Sequence, residues 1–359
     1  MATLSSLPVE LLVTIFSDVA ADFNTGHILT TVGRVCKLFH DVVQSSGIDV
    51  FRTSLRGIRN MQNFIRALRL RDMAQRRVHS LLVVVDWNSD ELLGNAASDT
   101  FTLDVLQTIL STIDPSRLHT LFVYFPSSKG DDTPTLQTPV SLPALTNLHL
   151  SGLIAIPSSP ATTFPHLKHV QLLRLASLTP DLQNVPLLVR NLAPNATHVK
   201  LSFLSFTGLT ATTPIRYLND LIATKMAQQM GYELSYDQDE TPSNALPDTL
   251  ARLVLRCPTY EPEEANFFNW IYSDALKSVA QRAMDLPLLA QPVVVVSITA
   301  LNADREEQQR VEFVKDWMRV NMGEEEEEVW AVSPDPKRDV DAMENIFTPR
   351  EFYVSCALR

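Results

Sequence analysis

A pattern of three apolar positions, spaced apolar-x-x-apolar-x-apolar, recurs along the chain and limits what it can fold into. The copies are Val78/Leu81/Val83, Leu118/Leu121/Val123, Leu145/Leu148/Leu150, Leu167/Val170/Leu172, Ala196/Val199/Leu201, Leu250/Leu253/Leu255 and Val293/Val296/Ile298. The last two apolar positions of a copy are two residues apart, so they share one face of a β-strand. The sequence therefore predicts a series of related strands, one in each copy.

The segments between the copies indicate a repeat fold. Polar or proline-containing segments precede several copies, at 114–117, 142–144, 164–166 and 246–248. Stretches with helical character lie between others, at 103–113, 215–230 and 267–284. Strand–turn–helix units with a period in the twenties are typical of a leucine-rich-repeat solenoid, in which stacked repeats share one core.

The intervals between copies predict that this array is irregular or interrupted. Successive copies begin 40, 27, 22, 29, 54 and 43 residues apart, and only some of these intervals fit the period. The longest interval contains the polar segment 236–244, which we expect to be an exposed loop. A doubly wound α/β sheet is the alternative, although that fold normally carries a glycine-rich ligand turn.

The residues that alternate with the buried strand positions would face the concave side of a solenoid. They are Ser80, Leu82, Thr120, Phe122, Tyr124, Asn147, His149, His169, Gln171, His198, Lys200, Arg252, Val254 and Arg256. Tyr, Phe and Arg often dominate binding energy in protein interfaces. Two interpretations stay open, a surface that binds a target peptide and a merely solvated sheet face. The predicted target-binding residues are Thr120, Phe122, Tyr124, His149, His169, Gln171, His198, Lys200, Arg252 and Arg256.

The first fifty residues predict two or three short amphipathic helices. Pro8 suits the first turn of a helix, where its missing N–H needs no partner, and Glu10 is favoured there by the helix dipole. The apolar positions of the first helix are Leu11, Leu12, Ile15, Phe16 and Val19. Those of the second are Leu29, Val32, Val35, Cys36, Phe39, Val42 and Val43, and Ser45-Ser46-Gly47 ends it. Such helices bury little area alone, so they either cap the next domain or bind a partner.

The segments Leu7-Pro8-x-Glu10-Leu11-Leu12 and Val35-Cys36-Lys37-x-Phe39 closely resemble the two halves of the F-box motif, at its spacing. The resemblance covers about residues 4–50, and many members have Trp where this chain has Phe39. It implies helices that bind a Skp-type adaptor and, through it, a cullin–RING ubiquitin ligase. The residues that the resemblance assigns to adaptor binding or its support are Leu7, Pro8, Leu11, Val35, Cys36 and Phe39.

A basic segment at 51–77 follows the F-box-like region. It contains eight arginines and one acid, while Met61, Phe64, Ile65 and Leu68 form an apolar helical face. We interpret it as a basic helical connector whose arginines are solvated and balance an acidic domain, in preference to a patch for nucleic acid or an acidic partner. The segment also resembles the connector of many fungal F-box proteins, where it leads into leucine-rich repeats.

Composition excludes several classes of function. The net charge of −11 disfavours binding to nucleic acid, and there is no apolar run long enough to span a membrane. The three cysteines are far apart, and no histidine lies at metal-ligand spacing, so no metal site is predicted. Neither glycine-rich phosphate loop nor nucleophile elbow occurs. Without a basic signal sequence, we expect a reduced protein of the cytoplasm or nucleus that needs no cofactor.

The C-terminal part is acidic, with fourteen acids against six bases in residues 304–345. Such segments are usually solvated or disordered, although this one could attract a basic substrate. The carboxylate pairs Asp131-Asp132 and Glu263-Glu264 lie in polar segments, and we expect them to be solvated rather than catalytic. Residues 350–356 resemble a closing edge strand.

The predicted fold class is α+β to α/β. An all-α F-box at 1–50 precedes the connector at 51–77 and an irregular leucine-rich-repeat-like domain at 78–359. We expect a non-catalytic substrate receptor of a Skp–cullin–F-box ubiquitin ligase that binds a target protein through its repeats. The alternative is a leucine-rich-repeat scaffold whose F-box-like helices form only an N-terminal cap. An α/β enzyme is the weakest hypothesis.

Overall fold

The computed structural model describes residues 7–22, 32–85, 95–126, 133–157, 164–175, 185–203, 247, 249–259, 294–300 and 306–323. This part of the chain is a mixed α/β protein in two compact units. Unit 1 comprises Met1–Pro126, Thr138–Leu145 and Glu306–Arg359, and unit 2 comprises Ser127–Gln137 and Thr146–Arg305. Each unit contains a parallel sheet whose strands are neighbours in their order along the chain.

Unit 1 combines a pair of N-terminal helices with three parallel strands and three further helices. Its elements are α1 (Val9–Asp22), α2 (Lys37–Ser46), β1 (Arg52–Arg56), α3 (Ile58–Arg69), β2 (Ser80–Val84), α4 (Asn95–Thr112), β3 (Thr120–Tyr124) and α6 (Glu306–Met322). Every residue of β2 and β3 is buried, as is typical of parallel strands covered on both faces. The sheet is therefore a central layer of the unit.

The apolar pattern sets the register of the unit 1 strands. Leu81 lies beside Leu121, and Val83 lies beside Val123, so the second and third positions of the pattern form continuous apolar rows. Leu55 of β1 extends one of these rows by pairing with Val83. The helical face predicted for the connector is confirmed, since Met61, Phe64, Ile65 and Leu68 are all buried. The connector is not purely helical, however, because β1 precedes α3.

Unit 2 contains five strands, which pair in parallel as those of unit 1 do. Its parallel sheet contains β5 (Asn147–Ser151), β7 (His169–Leu175), β8 (His198–Phe203), β9 (Arg252–Thr259) and β10 (Val294–Ala300). Leu148, Val170, Val199 and Leu253 form one apolar row across four of the strands. The other described elements are the strands β4 (Thr135–Thr138) and β6 (Ile154–Pro157), which form a separate two-stranded sheet, and the helix α5 (Val185–Leu192).

The second and third positions of all seven copies lie in strands, and similar turns precede five of these strands. In four turns the residue at the first pattern position donates its N–H to the carbonyl three residues earlier, as in Leu145 to Leu142 and Leu167 to Phe164. Ahead of β3, Arg117 donates to Asp114 in the same way, and the carboxylate of Asp114 accepts the N–H of Ser116 at 3.0 Å. The predicted lead-ins at 114–117, 142–144 and 164–166 are therefore turns that precede β3, β5 and β7.

The second N-terminal helix is shorter than the sequence predicts. Val32–Arg34 form a single 3₁₀ turn, and Cys36 immediately precedes α2 in an extended conformation. The β-branched and glycine residues of 32–35 favour helix weakly. The predicted end is confirmed, since Gly47 follows Ser46 with φ of 73°. Leu29 lies outside the described residues.

Several other predictions also fall outside the described residues. They concern the helices at 215–230 and 267–284, the loop at 236–244, the carboxylate pairs Asp131-Asp132 and Glu263-Glu264, and the strand at 350–356. The predicted helix at 103–113 is confirmed as part of α4. Of the acidic segment at 304–345, residues 306–322 are neither solvated throughout nor disordered, because they form α6 with Val311, Phe313, Val314 and Trp317 buried.

Gly47 makes the N-terminal helices sensitive to one substitution. A Cβ atom at Gly47 would lie 2.3 Å from the backbone oxygen of Gln75, and the φ of 73° is strained for any side chain. We expect Gly47→Ala to lower the free energy of unfolding of unit 1 by about 3 kcal/mol. Gly323→Ala is the matched control, since its φ is 68° and nothing lies within 4 Å of its Cβ position.

Urea denaturation followed by circular dichroism measures both losses. The backbone strain alone predicts about 1 kcal/mol for the control. Equal losses for the two variants would show that the approach of Gln75 to Gly47 is not tight in solution.

Candidate functional site

The N-terminal helices enclose a small core of their own. Phe16 of α1 and Phe39 of α2 meet edge to face, with ring centroids 5.0 Å apart. Four further buried residues complete this core: Leu12, Val42, Val43 and Ile48. Because Leu12 and Phe16 are four residues apart on α1, both lie on the side that faces α2. The core fixes which of the remaining apolar residues are left outside it.

The six residues assigned by the F-box resemblance fall into two groups. Phe39 is buried in the core, and Leu7 is partly buried against it. Pro8, Leu11, Val35 and Cys36 are exposed. The sequence alone left this division open, because both groups are apolar and similarly spaced. Adaptor binding by these residues remains a prediction, but only the second group has side chains that a partner could reach.

Large apolar side chains are exposed around these positions. We call Val9, Leu11, Ile15, Val35 and Leu38 the N-terminal apolar residues. Leu11 and Val35 are 51% and 68% exposed, although both belong to the motif. Ile15 is one turn beyond Leu11 on the same side of α1, and Leu38 lies in the first turn of α2. Leaving several such side chains in water within about thirty residues is unfavourable unless a partner covers them.

The sequence identified only part of this set. It placed Ile15 in the buried stripe of α1 and did not single out Val9 or Leu38. The composition of α1 could have indicated the rest, because the helix has more apolar residues than one face can bury. They surround most of the helix: Val9, Leu11, Leu12, Val13, Ile15, Phe16 and Val19. A helix that is apolar on more than one side needs more than one covering surface.

The predicted target-binding residues of unit 1 lie together on one sheet face. In that face Ser80 lies beside Thr120, Leu82 beside Phe122, and Val84 beside Tyr124. All are buried. The helix α6 covers them, because Phe313 contacts both Phe122 and Tyr124 edge to face, at centroid distances of 5.2 and 5.6 Å. The sheet face that we predict to bind a target is therefore covered by α6.

Hydrogen bonds place α6 across this face. The indole N–H of Trp317 donates to the hydroxyl of Ser80 at 2.8 Å. The hydroxyl of Tyr124 donates to the backbone carbonyl of Glu306 at 3.1 Å, and the guanidinium of Arg52 donates to that of Asn321. The N-terminus of α6 thus lies at the carboxyl end of β3, and its C-terminus lies at the amino end of β1.

The predicted residues of unit 2 form two polar rows. One row contains Asn147, His169, His198 and Arg252, and the other contains His149, Gln171, Lys200 and Val254. Arg256 pairs with Ser202. His169 and Asn147 share a hydrogen bond of 2.7 Å. The second row is buried, and burial, with Lys200 and His169 nearby, holds the pKa of His149 well below its ordinary value.

The arginines of the connector divide between structural and solvated positions. Arg71 forms a bidentate ion pair with Asp49, and Arg76 donates to the backbone carbonyls of Arg71 and Thr112. These contacts fasten the end of α3 to neighbouring segments. Arg59, Arg66 and Arg69 are exposed on α3, as the preferred interpretation of this segment expects.

Two stacked histidines precede β2 and β3 and give unit 1 a predicted pH dependence. The ring of His79 lies between Phe51 and His119, at centroid distances of 4.7 and 4.1 Å. Burial, with His119 and Arg52 nearby, lowers the pKa of His79 to about 4, against an ordinary value of 6.5. Because the unfolded chain binds this proton more readily, stability should fall as pH decreases from about 6.5 to 4.

The expected loss is about 2 kcal/mol at pH 4, allowing for partial solvation of the ring. Urea denaturation between pH 4 and 7.5 measures it, and His79→Phe should reduce the slope while keeping an aromatic ring in the stack. An unchanged slope in His79→Phe would assign the pH dependence to other groups, such as His149.

The chemistry available to the described residues is limited. No group of three His, Cys, Asp or Glu side chains among them could hold a metal ion. No helix among them is long and apolar enough to cross a membrane.

Comparison with known proteins gives no relative for the chain: no protein-family model, no curated protein and no solved structure matches it.

Proposed function

We propose that the protein is the substrate-recognition subunit of a Skp–cullin–F-box ubiquitin ligase. In this function α1 and α2 bind a Skp-type adaptor, which connects the chain to a cullin–RING ligase, and the rest of the chain binds a target protein. The chain itself performs no catalysis and needs no cofactor, nucleic acid or membrane. The observation that carries the proposal is that Pro8, Leu11 and Val35 of the F-box-like segments are exposed while Phe39 holds the helices together.

The exposed fraction of these residues favours a partner over a solvated surface. A large apolar side chain gains roughly 1.5–3 kcal/mol when it is transferred fully from water to an interface. The N-terminal apolar residues would together supply several kcal/mol, enough for a specific complex once the costs of association are met.

A repeat architecture of the chain is part of the same proposal. We propose that the parallel strands belong to an irregular leucine-rich-repeat solenoid. Support comes from the chain order of the strands within each unit and from the similar turns that precede β3, β5, β7, β8 and β9. In addition, two consecutive N–H groups at the start of a strand donate to one carbonyl of the preceding repeat. Those of His79 and Ser80 donate to Phe51, and those of His119 and Thr120 donate to His79.

A second candidate function is a non-catalytic scaffold in which α1 and α2 form an N-terminal cap. It is favoured by one observation, since α1 contacts α6 and lies in the same compact unit as β1–β3. A cap protects the first repeat of a solenoid from water and needs no adaptor. The two functions differ in what the exposed residues do, because a cap requires only the buried ones.

Co-purification with a Skp-type adaptor separates the two functions. The wild-type chain should retain the adaptor, and the double variant Pro8→Ala/Leu11→Asp should lose it with an unchanged circular dichroism spectrum. Both side chains are exposed, so the fold should tolerate their replacement. Failure of the folded wild-type chain to retain the adaptor would favour the scaffold.

A further inference from the structure

The helix α6 is unusual among the helices of unit 1 in how it reaches the sheet. The helices α3 and α4 connect successive parallel strands and contact each other. Crossovers of the usual right hand place such helices on one face of the sheet. The helix α6 comes from a distant part of the chain and covers the face that carries Ser80, Phe122 and Tyr124. No described strand of unit 1 needs α6 as its connection to the next strand.

The face recognises features that a helix from another protein could present. Two of the three hydrogen bonds that place α6 go to its backbone carbonyls, at Glu306 and Asn321. The cationic Arg52 lies at the C-terminal end of the helix, where the helix dipole favours positive charge. The two carbonyls are fifteen positions apart in the helix, or about 22 Å, so the face measures the length of about four helical turns.

Side-chain recognition is concentrated on two aromatic residues. Phe313 packs against Phe122 and Tyr124, and Trp317, four residues later, is buried with its indole bonded to Ser80. Val311 and Val314 complete the buried side of α6. Its opposite side carries the ion pair of Arg319 with Asp316. Arg310, one turn before Val314 on the buried side, pairs with Glu307. The contact therefore depends on an amphipathic helix with Phe and Trp four residues apart.

We propose that this face is a binding site for an amphipathic helix of a target protein and that α6 occupies it as an internal ligand. The target helix would carry two aromatic residues at the spacing of Phe313 and Trp317 and would bind when α6 leaves the face. That the incoming helix belongs to a target protein rests on the proposed function. The binding site itself does not depend on the adaptor. It explains why the face predicted for target binding is closed in the free chain.

The proposal requires that α6 can leave while the sheet stays folded. Hydrogen exchange on the full wild-type chain tests this requirement directly. We expect amides of α6 to exchange at least 100-fold faster than those of β2 and β3, through opening of the helix alone. Equal protection of α6, β2 and β3 would show that α6 separates only on global unfolding and would overturn the proposal.

Binding in trans tests the site. The probe is a labelled synthetic peptide of residues 306–322, titrated by fluorescence anisotropy into the full chain and into its Phe313→Ala/Trp317→Ala variant. The variant weakens α6 in its own chain, so it should bind the peptide at least ten-fold more tightly than the wild type. A peptide with the same two replacements is the control and should not bind.

A folded variant that fails to bind the peptide would overturn the proposal. If the variant does not fold, α6 is a required part of the core, and that result also overturns the proposal. Adaptor binding is measured separately, on the wild-type full chain. Failure of this inference and failure of the proposed function are therefore distinguishable.

Discussion

Replacing Phe39 by alanine should lower the free energy of unfolding of the N-terminal helices by about 3–5 kcal/mol. Phe39 is 6% exposed and meets Phe16 edge to face, so its removal leaves a cavity in a core to which the described residues contribute six buried side chains. A core this small has few other contacts with which to compensate. Thermal and urea denaturation, followed by circular dichroism, measure the loss.

Leu38→Ala is the matched control for this variant. It removes a large apolar side chain from the neighbouring position of α2, where the side chain is 38% exposed. We expect a change of no more than about 0.5 kcal/mol. Similar losses in the two variants would contradict the assignment of Phe39 to the core and Leu38 to the surface.

Replacing Leu11 or Val35 by aspartate should weaken binding of the Skp-type adaptor about 100-fold, with little change in stability. The expected loss corresponds to about 2.7 kcal/mol, which is the cost of placing a charge where an apolar contact is lost. Both side chains are more than half exposed in the free chain, so the charge remains solvated when no partner is bound. Isothermal titration calorimetry with the full chain measures the affinities.

Leu70→Asp is the control for nonspecific effects of charge. Leu70 follows α3 and is 71% exposed, but it does not belong to the N-terminal helices. Its replacement should leave the adaptor affinity within about two-fold of wild type. A loss as large as that of Leu11→Asp would mean that the adaptor does not bind where we propose.

The strands were predictable because their signal is local. Leu81 and Val83 lie two residues apart, as do Val170 and Leu172, and this alternation alone indicates a strand. The strand β1 was missed because its sequence, RTSLR, contains only one large apolar residue, Leu55. Pairing with β2 determines its structure, and such tertiary contacts override weak local preference.

The burial of the candidate site could not be predicted, for a different reason. Phe122 and Tyr124 were correctly placed on one sheet face, but the residue that covers them, Phe313, lies almost two hundred positions later in the chain. The charged residues of α6 outnumber its buried ones, so the composition of this segment indicated that it is solvated. Likewise, whether Phe39 or Val35 is buried depends on how α1 meets α2, which the apolar pattern alone does not determine.

The most direct test of the account is a titration of the folded full chain with a purified Skp-type adaptor by isothermal titration calorimetry. We predict a 1:1 complex with a dissociation constant on the order of 1 μM or tighter, as expected for burial of several exposed apolar side chains. A chain whose circular dichroism shows a folded protein, but which gives no binding at tens of micromolar adaptor, would contradict it.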